Sequence, residues 1–497
     1  MKLGRGSRVG NSRDGANCFP EIISEPRTVR WSCSFREIGG ACMRLRRRLP
    51  HAGALATSLT VLVGCAMYSP QPLPQRDDLA SRLAASAAPQ GPVGLNMNAV
   101  ATLAVLNNPN LKAARATMNV AAAQAFAAGI LPDPQFSFSA DHPNDHVTSR
   151  SDPRYPEYNA YGLGLAIDLR ALLTHASTRA AADAAYRQAQ ADLLWQEWQT
   201  VAEARTQYVA QSIAAARIEF LAPAADQYAL AAAHSARALA QANVTLEQAG
   251  ADQAAVTAIR TQLGVAQRAT LQAEQALRTL LGVRPEVTVP LQPLNPPMLL
   301  DRAEIVAAMD RLPQVRPDLR ALQEGYRSQE AQVRIAVLSQ FPNIVVGITR
   351  ARDVSDVHTT GGTISLDLPL FDRGQGNIAI QRATRAQLRA EYQARLDQAS
   401  ADTWHLWNEM QELHTELGDL DQRLPLLHQS VDSTQRSFAA GNLPAANYLA
   451  LINAYLAAQG SRFDLLQSLW SDSIALAAVT GAQVQPTSDV HPDSNAL

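Results

Sequence analysis

The sequence has few cysteines, and none of them lies after position 65. The four are Cys18, Cys33, Cys42 and Cys65. The residues beyond Cys65 therefore cannot form a disulfide, bind a metal through thiolates or use a cysteine nucleophile. A phosphate-binding loop, a metalloprotease His-Glu pair and a nucleophile elbow are also missing from the sequence. These absences predict a protein that is not an enzyme.

Positive charge is scarce in most of the chain. Residues 65–497 contain 32 Lys and Arg and 41 Asp and Glu, a net charge near −9, whereas all 497 residues together have −2. The difference arises because eleven basic residues are concentrated in residues 1–64. An acidic chain without a basic patch offers no electrostatic footprint for nucleic acid. We therefore expect no nucleic-acid partner.

The segment from Met43 to Cys65 carries the first functional signal. It reads MRLRRRLPHAGALATSLTVLVGC, a basic start followed by an apolar run too short to span a bilayer, which is typical of a bacterial export signal. Its last four residues, LVGC, resemble the lipobox of bacterial lipoproteins. That resemblance implies cleavage before Cys65 and acylation of this cysteine, for example by palmitate. The alternative is an ordinary buried helix with a chance cysteine.

The regions on either side of this signal divide the N-terminal part of the chain. Residues 1–42 have no hydrophobic period, and we hypothesise that they precede a true start at Met43; a real disordered extension is the alternative. Residues 43–64 are then the signal peptide. Residues 65–94 are rich in Pro, Ser, Ala and Gln, which predicts an extended, lipid-anchored tether. Apart from the lipid on Cys65, no cofactor is expected.

Two long repeats follow the tether, at residues 95–290 and 291–481, before a tail at 482–497. The stretch 107–140 is echoed by 315–348: each has a Pro-Asn/Asp-Leu helix start, a Pro that ends the helix and alternating residues after it. Pro109 and Pro317 lie 208 positions apart, and Pro132 and Pro342 lie 210 apart. A period this long indicates two structural halves.

Four stretches alternate between apolar residues and small or polar ones, at about 135–141, 160–169, 343–350 and 362–370. Period two predicts strands with one apolar face, as a strand between lipid and water needs. The residues expected to face lipid are Phe136, Phe138, Tyr161, Leu163, Leu165, Ile167, Ile344, Val346, Ile348, Ile364, Leu366 and Leu368. Four strands cannot close a barrel, so other copies of the chain must complete the sheet. A half-buried soluble sheet would show the same alternation.

The remaining sequence is rich in Ala, Gln, Leu and Arg, which favours long helices. We predict helices over 172–249 and 375–440, each ended by an Ala-Gly turn, at Gly250 and Gly441. Shorter return helices are expected over 251–281 and 442–480.

The order of strand hairpin, long helix, turn and return helix, twice over behind a lipobox, resembles the outer-membrane efflux protein (TolC-like) family in its lipoprotein branch. The resemblance implies a mainly helical fold with a transmembrane β-barrel: a homotrimer with one twelve-stranded barrel continuous with a periplasmic helical barrel. It implies an outer-membrane exit duct that passively conducts small toxic compounds such as drugs or metals. The implied partners are a periplasmic adaptor protein, an inner-membrane pump of the RND or another type, and outer-membrane lipid.

The resemblance also assigns roles to residues near the two turns. The adaptor-docking tip would comprise Gly250, Ala251, Arg436, Gly441, Asn442 and Leu443. Relatives often have acidic residues at the tunnel mouth, whereas this chain has Asn447 there, so a cation-selective gate is not carried over. A cluster of Asp and His in 141–146 is interpreted as a polar loop, and no metal site is expected. The alternative function is a peripheral helical scaffold lipoprotein of the cell envelope, without a channel.

Overall fold

The computed structural model describes residues 68–83, 94–142 and 158–482. The predicted signal segment, Cys65 and residues 483–497 lie outside the described residues. The chain divides into two units, Met1–Gln75 and Arg76–Leu497. In the first unit, residues 68–75 are exposed and have no regular secondary structure. Both sequence repeats lie in the second unit.

The second unit is mainly helical. Its described helices are α1 (Met97–Asn107), α2 (Pro109–Ala128), α3 (Leu169–Ala240), α4 (Leu246–Leu280), α5 (Arg302–Val315), α6 (Pro317–Leu338), α7 (Gln375–Ala439) and α8 (Ala445–Thr480). Pro109 and Pro317 occupy the first turns of α2 and α6, as predicted, because proline has no N–H to satisfy there. At 72 residues, α3 spans about 108 Å. Among the described residues, no helix is both long and apolar enough to cross a membrane.

Helix α3 organises the packing of the unit. It contacts α1, α2, α4, α6 and α8, and α7 packs against α6 and α8. Buried residues from several helices fill the seams; the largest fully buried side chains include Trp470, Tyr208, Tyr228 and Tyr448. Pro223 and Pro425 lie inside α3 and α7, which continue through them.

The four strands form one antiparallel sheet in the order β1-β2-β3-β4. Their bounds are β1 (Gln135–Asp141), β2 (Ala160–Asp168), β3 (Asn343–Arg352) and β4 (His358–Asp367). The sheet joins the two repeats, because β2 of the first half pairs with β3 of the second. The outer edges of β1 and β4 have no strand partner among the described residues.

The prediction for β4 was wrong at both ends. The strand begins four residues before the expected 362 and ends at Asp367, three residues before the expected 370. Its added residues, such as Thr359 and Thr360, pair with β3 although they are polar. Leu368, expected to face lipid from a strand, therefore lies just after β4, where Pro369 lacks the N–H that a ladder needs.

Part of the predicted tether is attached to the helical unit. The Ala80 N–H donates to the Gly282 carbonyl at 2.9 Å, and the Arg284 N–H donates to the Ala80 carbonyl at 3.0 Å. Lys112 and Asp78 form an ion pair at 3.1 Å. The described part of the predicted tether is therefore not free along its whole length.

Candidate functional site

The two helical turns have the same hydrogen-bond pattern, with every position offset by 199 residues. In the first turn, the N–H groups of Gln241, Ala242 and Asn243 donate to the carbonyls of Arg237, Leu239 and Ala238 at 3.2, 2.9 and 2.8 Å. In the second, those of Ala440, Gly441 and Asn442 donate to Arg436, Phe438 and Ser437 at 3.1, 2.9 and 3.0 Å. This is a Schellman motif, which closes a helix through one left-handed residue. We call residues 241–245 tip 1 and residues 440–444 tip 2.

The predicted position of the first turn was wrong. Gly250 and Ala251 lie inside α4, which begins at Leu246, and α3 ends at Ala240. The left-handed residue of tip 1 is Ala242, with φ of 59°, whereas tip 2 has Gly441, with φ of 75°. Glycine is the usual residue at this position, which is why the sequence predicts the turn at Gly250. The shared pattern Ala-x-Ala/Gly-Asn-Val/Leu-Thr/Pro, at 240–245 and 439–444, could have found it.

The return helix α4 begins earlier than expected, and the return helix α8 begins later. In tip 1, Thr245 caps α4: its Oγ1 accepts from the Gln248 N–H at 3.2 Å, and the Gln248 side chain accepts from the Thr245 N–H at 3.3 Å. This reciprocal pair satisfies two helix-end donors. In tip 2, Pro444 is the N-cap of α8 and makes no side-chain cap bond. The first helix therefore begins before the expected residue 251, and the second after 442.

An exposed arginine precedes each tip by one turn. Arg436, predicted from the sequence, donates from Nε to the Asp432 carbonyl at 3.3 Å. Arg237, which the sequence reasoning missed, donates from Nε to the Ala233 carbonyl at the same distance. The two guanidinium groups thus hold equivalent places in the repeat. Among the described residues, each guanidinium makes only this backbone contact.

A shared apolar cluster supports both tips from behind. It contains Tyr228 and Ile259 from the first repeat and Tyr448, Leu449 and Ile452 from the second. The Tyr448 ring stacks on Phe438, with centroids 4.9 Å apart. The Tyr228 hydroxyl donates to Asn453 Oδ1 at 2.5 Å. The tips therefore share one core.

Burial changes the acidity of the two tyrosines. It raises the pKa of Tyr228 to about 12, and the nearby Tyr448 hydroxyl adds to that shift. Burial also raises the pKa of Tyr448. Both hydroxyls are therefore neutral donors at physiological pH.

The other predicted tip residues have different surroundings. Asn442 is exposed in tip 2, and Leu443 is half-buried against the shared cluster. Asn447 is exposed in the first turn of α8, where its N–H donates to the Pro444 carbonyl at 3.2 Å. The equivalent position after tip 1 is Gln248, so neither return helix has a carboxylate there.

The strands place their apolar residues on one face of the sheet. Directly opposed residues share a face, and the register opposes Phe136 to Leu165, Leu165 to Ile348, and Val346 to Ile364. The members of this apolar face are Phe136, Phe138, Tyr161, Leu163, Leu165, Ile167, Ile344, Val346, Ile348, Ile364 and Leu366. Phe136 is 70% and Ile364 68% exposed. Every residue of the edge strands β1 and β4 is exposed.

The described residues contain no group of three His, Cys, Asp or Glu side chains that could hold a metal ion. Of the predicted polar loop, His142 contacts Asn159 through Nδ1 and Oδ1 at 2.6 Å, whereas Asp145 and His146 lie outside the described residues.

This architecture is that of outer-membrane channel proteins. The outer-membrane channel OprN superposes with a TM-score of 0.66 at 18% identity, covering 78% of this chain and 89% of its own. The outer membrane protein VceC of Vibrio cholerae gives 0.64 at 17% identity, covering 78% and 96%. The Campylobacter jejuni CmeC outer membrane channel gives 0.64 at 16% identity, covering 79% and 87%.

The sequence itself carries the family signal in its second half. Residues 308–482 match the family model described as outer membrane efflux protein. Together with the fold, this match confirms the resemblance to the TolC-like efflux family. The family is one of transport channels rather than enzymes. A comparison with curated protein sequences gives no match.

Proposed function

We propose that this chain is the outer-membrane exit duct of a tripartite efflux system, passively conducting small toxic compounds. The observation that carries the proposal is the sheet. Its apolar face is exposed and its two outer strands lack partners among the described residues. In lipid each unsatisfied backbone group costs several kcal/mol, so such a sheet must close on itself.

Closure by three copies satisfies these edges. If β4 of one copy pairs with β1 of the next, three four-stranded sheets give a twelve-stranded barrel. The apolar face then contacts lipid, and the face with Ser137, Gly164 and Thr363 lines a water-filled interior. The helices extend from the other end of the barrel into the periplasm. Twelve strands leave room for a conducting lumen, since eight already enclose packed side chains or a small ligand.

Tips 1 and 2 are the proposed docking and gating end. They lie at the ends of α3 and α7 that are farthest along the chain from the strands. Arg237 and Arg436 offer a repeated cationic contact to a periplasmic adaptor, and Asn442 and Leu443 border it. The adaptor links the duct to an inner-membrane pump that supplies the energy. At Asn447 and Gln248 the mouth is neutral, which favours no cation selectivity.

The lipid on Cys65 serves in this proposal as a second anchor. A trimer with twelve strands in lipid stays in the membrane without it. We therefore expect Cys65→Ser to impair processing or sorting more than conductance. A correctly exported Cys65→Ser trimer that does not conduct would contradict this expectation.

Strand pairing between copies gives the sharpest test, because the chain has no cysteine after Cys65. One cysteine on each edge strand, Ser137→Cys with Thr363→Cys, is expected to cross-link neighbouring copies up to a trimer when treated with a short thiol reagent. Within one copy these strands are separated by β2 and β3, about 14 Å. A panel that shifts the second cysteine to Gly361 or Ser365 covers the possible registers.

The control pair is Ser137→Cys with Thr349→Cys, in which the second position lies on the central strand β3. It is expected to give no trimer. The cross-linked trimer should also conduct in planar bilayers. A protein that stays monomeric, never conducts and leaves the membrane when only the lipid anchor is cut would overturn the duct and support the peripheral scaffold instead.

A further inference from the structure

The apolar face of the sheet changes character at one end. On β3, Ile344, Val346 and Ile348 are followed on the same face by Arg350 and Arg352. Opposite Arg352 stand Tyr161 on β2 and His358 on β4. This is the hairpin end of the sheet, away from the helices. The face is therefore aliphatic through its middle and cationic at its outer border.

Arg352 is already occupied by its neighbours. Its Nε lies 2.7 Å from Asp356 Oδ1, and its guanidinium lies over the Tyr158 ring, 4.5 Å from the centroid. The other carboxylate of the hairpin turn, Asp353, accepts the N–H groups of Ser355 and Val357 through Oδ1 at 2.8 and 2.9 Å. Each carboxylate of the turn therefore has partners other than Arg350.

Arg350 has no carboxylate opposite or diagonal to it on its face of the sheet. It is exposed, and its direct partners are Leu163 on β2 and Thr360 on β4. The diagonal positions on its face are Tyr161, Leu165, His358 and Gly362. Within the described ranges, no carboxylate forms an ion pair with it. A cation at the edge of an apolar face therefore lacks a protein counter-ion.

The change of residue type along β3 marks Arg350 as a border residue of the apolar face. Arg350 lies seven positions after Asn343, the first residue of β3, about 23 Å along the strand at about 3.3 Å each. The apolar band of outer-membrane barrels is about 25 Å tall and is flanked by interfacial residues, so a cation that ends the aliphatic series belongs at the headgroup border. Tyr161 lies at the same border, where tyrosines are enriched.

We propose that Arg350 binds the phosphate group of an anionic lipid in the outer leaflet. The inference rests on the proposed function, because it needs the apolar face to contact lipid. A guanidinium presents a planar fork that matches two phosphate oxygens. The aliphatic surface of Leu163 beside it on β2 and of Ile348 before it on β3 fits the start of the acyl chains. Three copies would place three such sites around the barrel.

Lipid retention tests the site directly. The purified full-length trimer is placed in micelles that contain phosphatidylglycerol or phosphatidylcholine, and native mass spectrometry counts the lipids retained. We expect wild type to prefer phosphatidylglycerol and Arg350→Gln to bind it about fivefold more weakly, the effect of one arginine near an anionic surface. Arg350→Lys, which keeps the charge but not the fork, should fall between them.

Arg389→Gln is the matched control, since Arg389 is also exposed but lies on α7. It should bind as wild type does, and free inorganic phosphate should not compete at the same concentration. Equal binding by Arg350→Gln and wild type, an equal loss in Arg389→Gln, or equal competition by phosphate would each overturn the site. Conductance distinguishes the two proposals: a conducting trimer without lipid preference overturns only this inference, whereas a protein that never inserts overturns both.

Discussion

Tips 1 and 2 have one backbone geometry and two different residues at its left-handed position. Tip 1 uses Ala242 at φ of 59°, and tip 2 uses Gly441 at φ of 75°. The left-handed region open to residues with a Cβ extends over about +50° to +70°. Alanine is therefore allowed at the first value, at a cost of about 1 kcal/mol, whereas the second value lies outside that region and favours glycine. The same turn thus has two different residues, with φ values 16° apart.

The tips also differ in how the following helix begins. Tip 1 has the reciprocal Thr245 and Gln248 cap, whereas tip 2 has Pro444, which fixes its own φ but offers no side-chain acceptor. Each tip thus has one local advantage that the other lacks: a side-chain cap in tip 1 and an unstrained left-handed glycine in tip 2. What they have in common is the cluster behind them.

The largest effect is expected from removing the shared cluster. Tyr448→Ala deletes a ring that is 2% exposed and stacked on Phe438, which should cost about 3–5 kcal/mol. Because residues from both repeats fill the cluster, amide exchange should accelerate in both tips. Leu230→Ala, at a position 57% exposed on α3, is the control and should change exchange little. Faster exchange in tip 2 alone would show that the tips are independent.

The next largest effect on stability is expected at Gly441, which the sequence suggests is equivalent to Gly250. Gly441→Ala should destabilise tip 2 by about 1 kcal/mol, since an L-residue at this φ is strained. Its Cβ meets nothing within 4 Å, so crowding adds no cost. Exchange of the Asn442 amide, bonded to Ser437, should become about fivefold faster.

Gly250→Ala is the matched test in the other repeat. Gly250 lies in α4 with open space around its Cβ position. Alanine in a helix interior is favoured over glycine by about 0.5–1 kcal/mol, so this variant should slow exchange near tip 1. If both variants destabilised their tips, Gly250 would be a turn residue after all.

These glycines also show what could be predicted from the sequence. Alternation located β1 and β2 to within one residue, because a half-buried strand must alternate. Alternation misplaced the bounds of β4. Thr359 and Thr360 pair with β3 through their backbone groups, so their side chains give no alternating signal. Sequence reasoning located tip 2 through Gly441 but missed tip 1, because a left-handed alanine has no composition signal. Arg237 was missed for the same reason: its equivalence to Arg436 appears only once the turns are aligned.

The two buried tyrosines differ in the hydrogen bonds of their hydroxyl groups. The Tyr228 hydroxyl bonds Asn453 at 2.5 Å, whereas the Tyr448 hydroxyl reaches Gln227 only at 3.5 Å. Tyr228→Phe should therefore lower the free energy of unfolding by about 1 kcal/mol, and Tyr448→Phe by a few tenths of a kcal/mol. Thermal melting of the two variants beside wild type measures the difference.

The pH dependence of stability provides a second test of the difference between Tyr228 and Tyr448. The folded pKa of Tyr228 is about 12, above its ordinary value of 10.0. The folded state therefore keeps this proton where the unfolded chain loses it, and stability falls as pH rises from about 10 to about 12. Tyr228→Phe should show a shallower decline over this range than Tyr448→Phe. A decline in Tyr228→Phe as steep as in wild type would mean that Tyr228 ionises as readily in the folded protein as in the unfolded chain.

The smallest effect is expected from giving tip 1 the residue of tip 2. Ala242→Gly relieves about 1 kcal/mol of left-handed strain, but glycine also gives the unfolded chain more freedom, which offsets about 0.4–1 kcal/mol. The net change should be a stabilisation of a few tenths of a kcal/mol, seen as slightly slower exchange of the Asn243 amide. Because φ of 59° lies inside the left-handed region that alanine can adopt and φ of 75° lies outside it, the gain should be smaller than the loss in Gly441→Ala. Equal and opposite changes would show that the two tips have the same φ in solution, and the difference between them would then lie only in their caps.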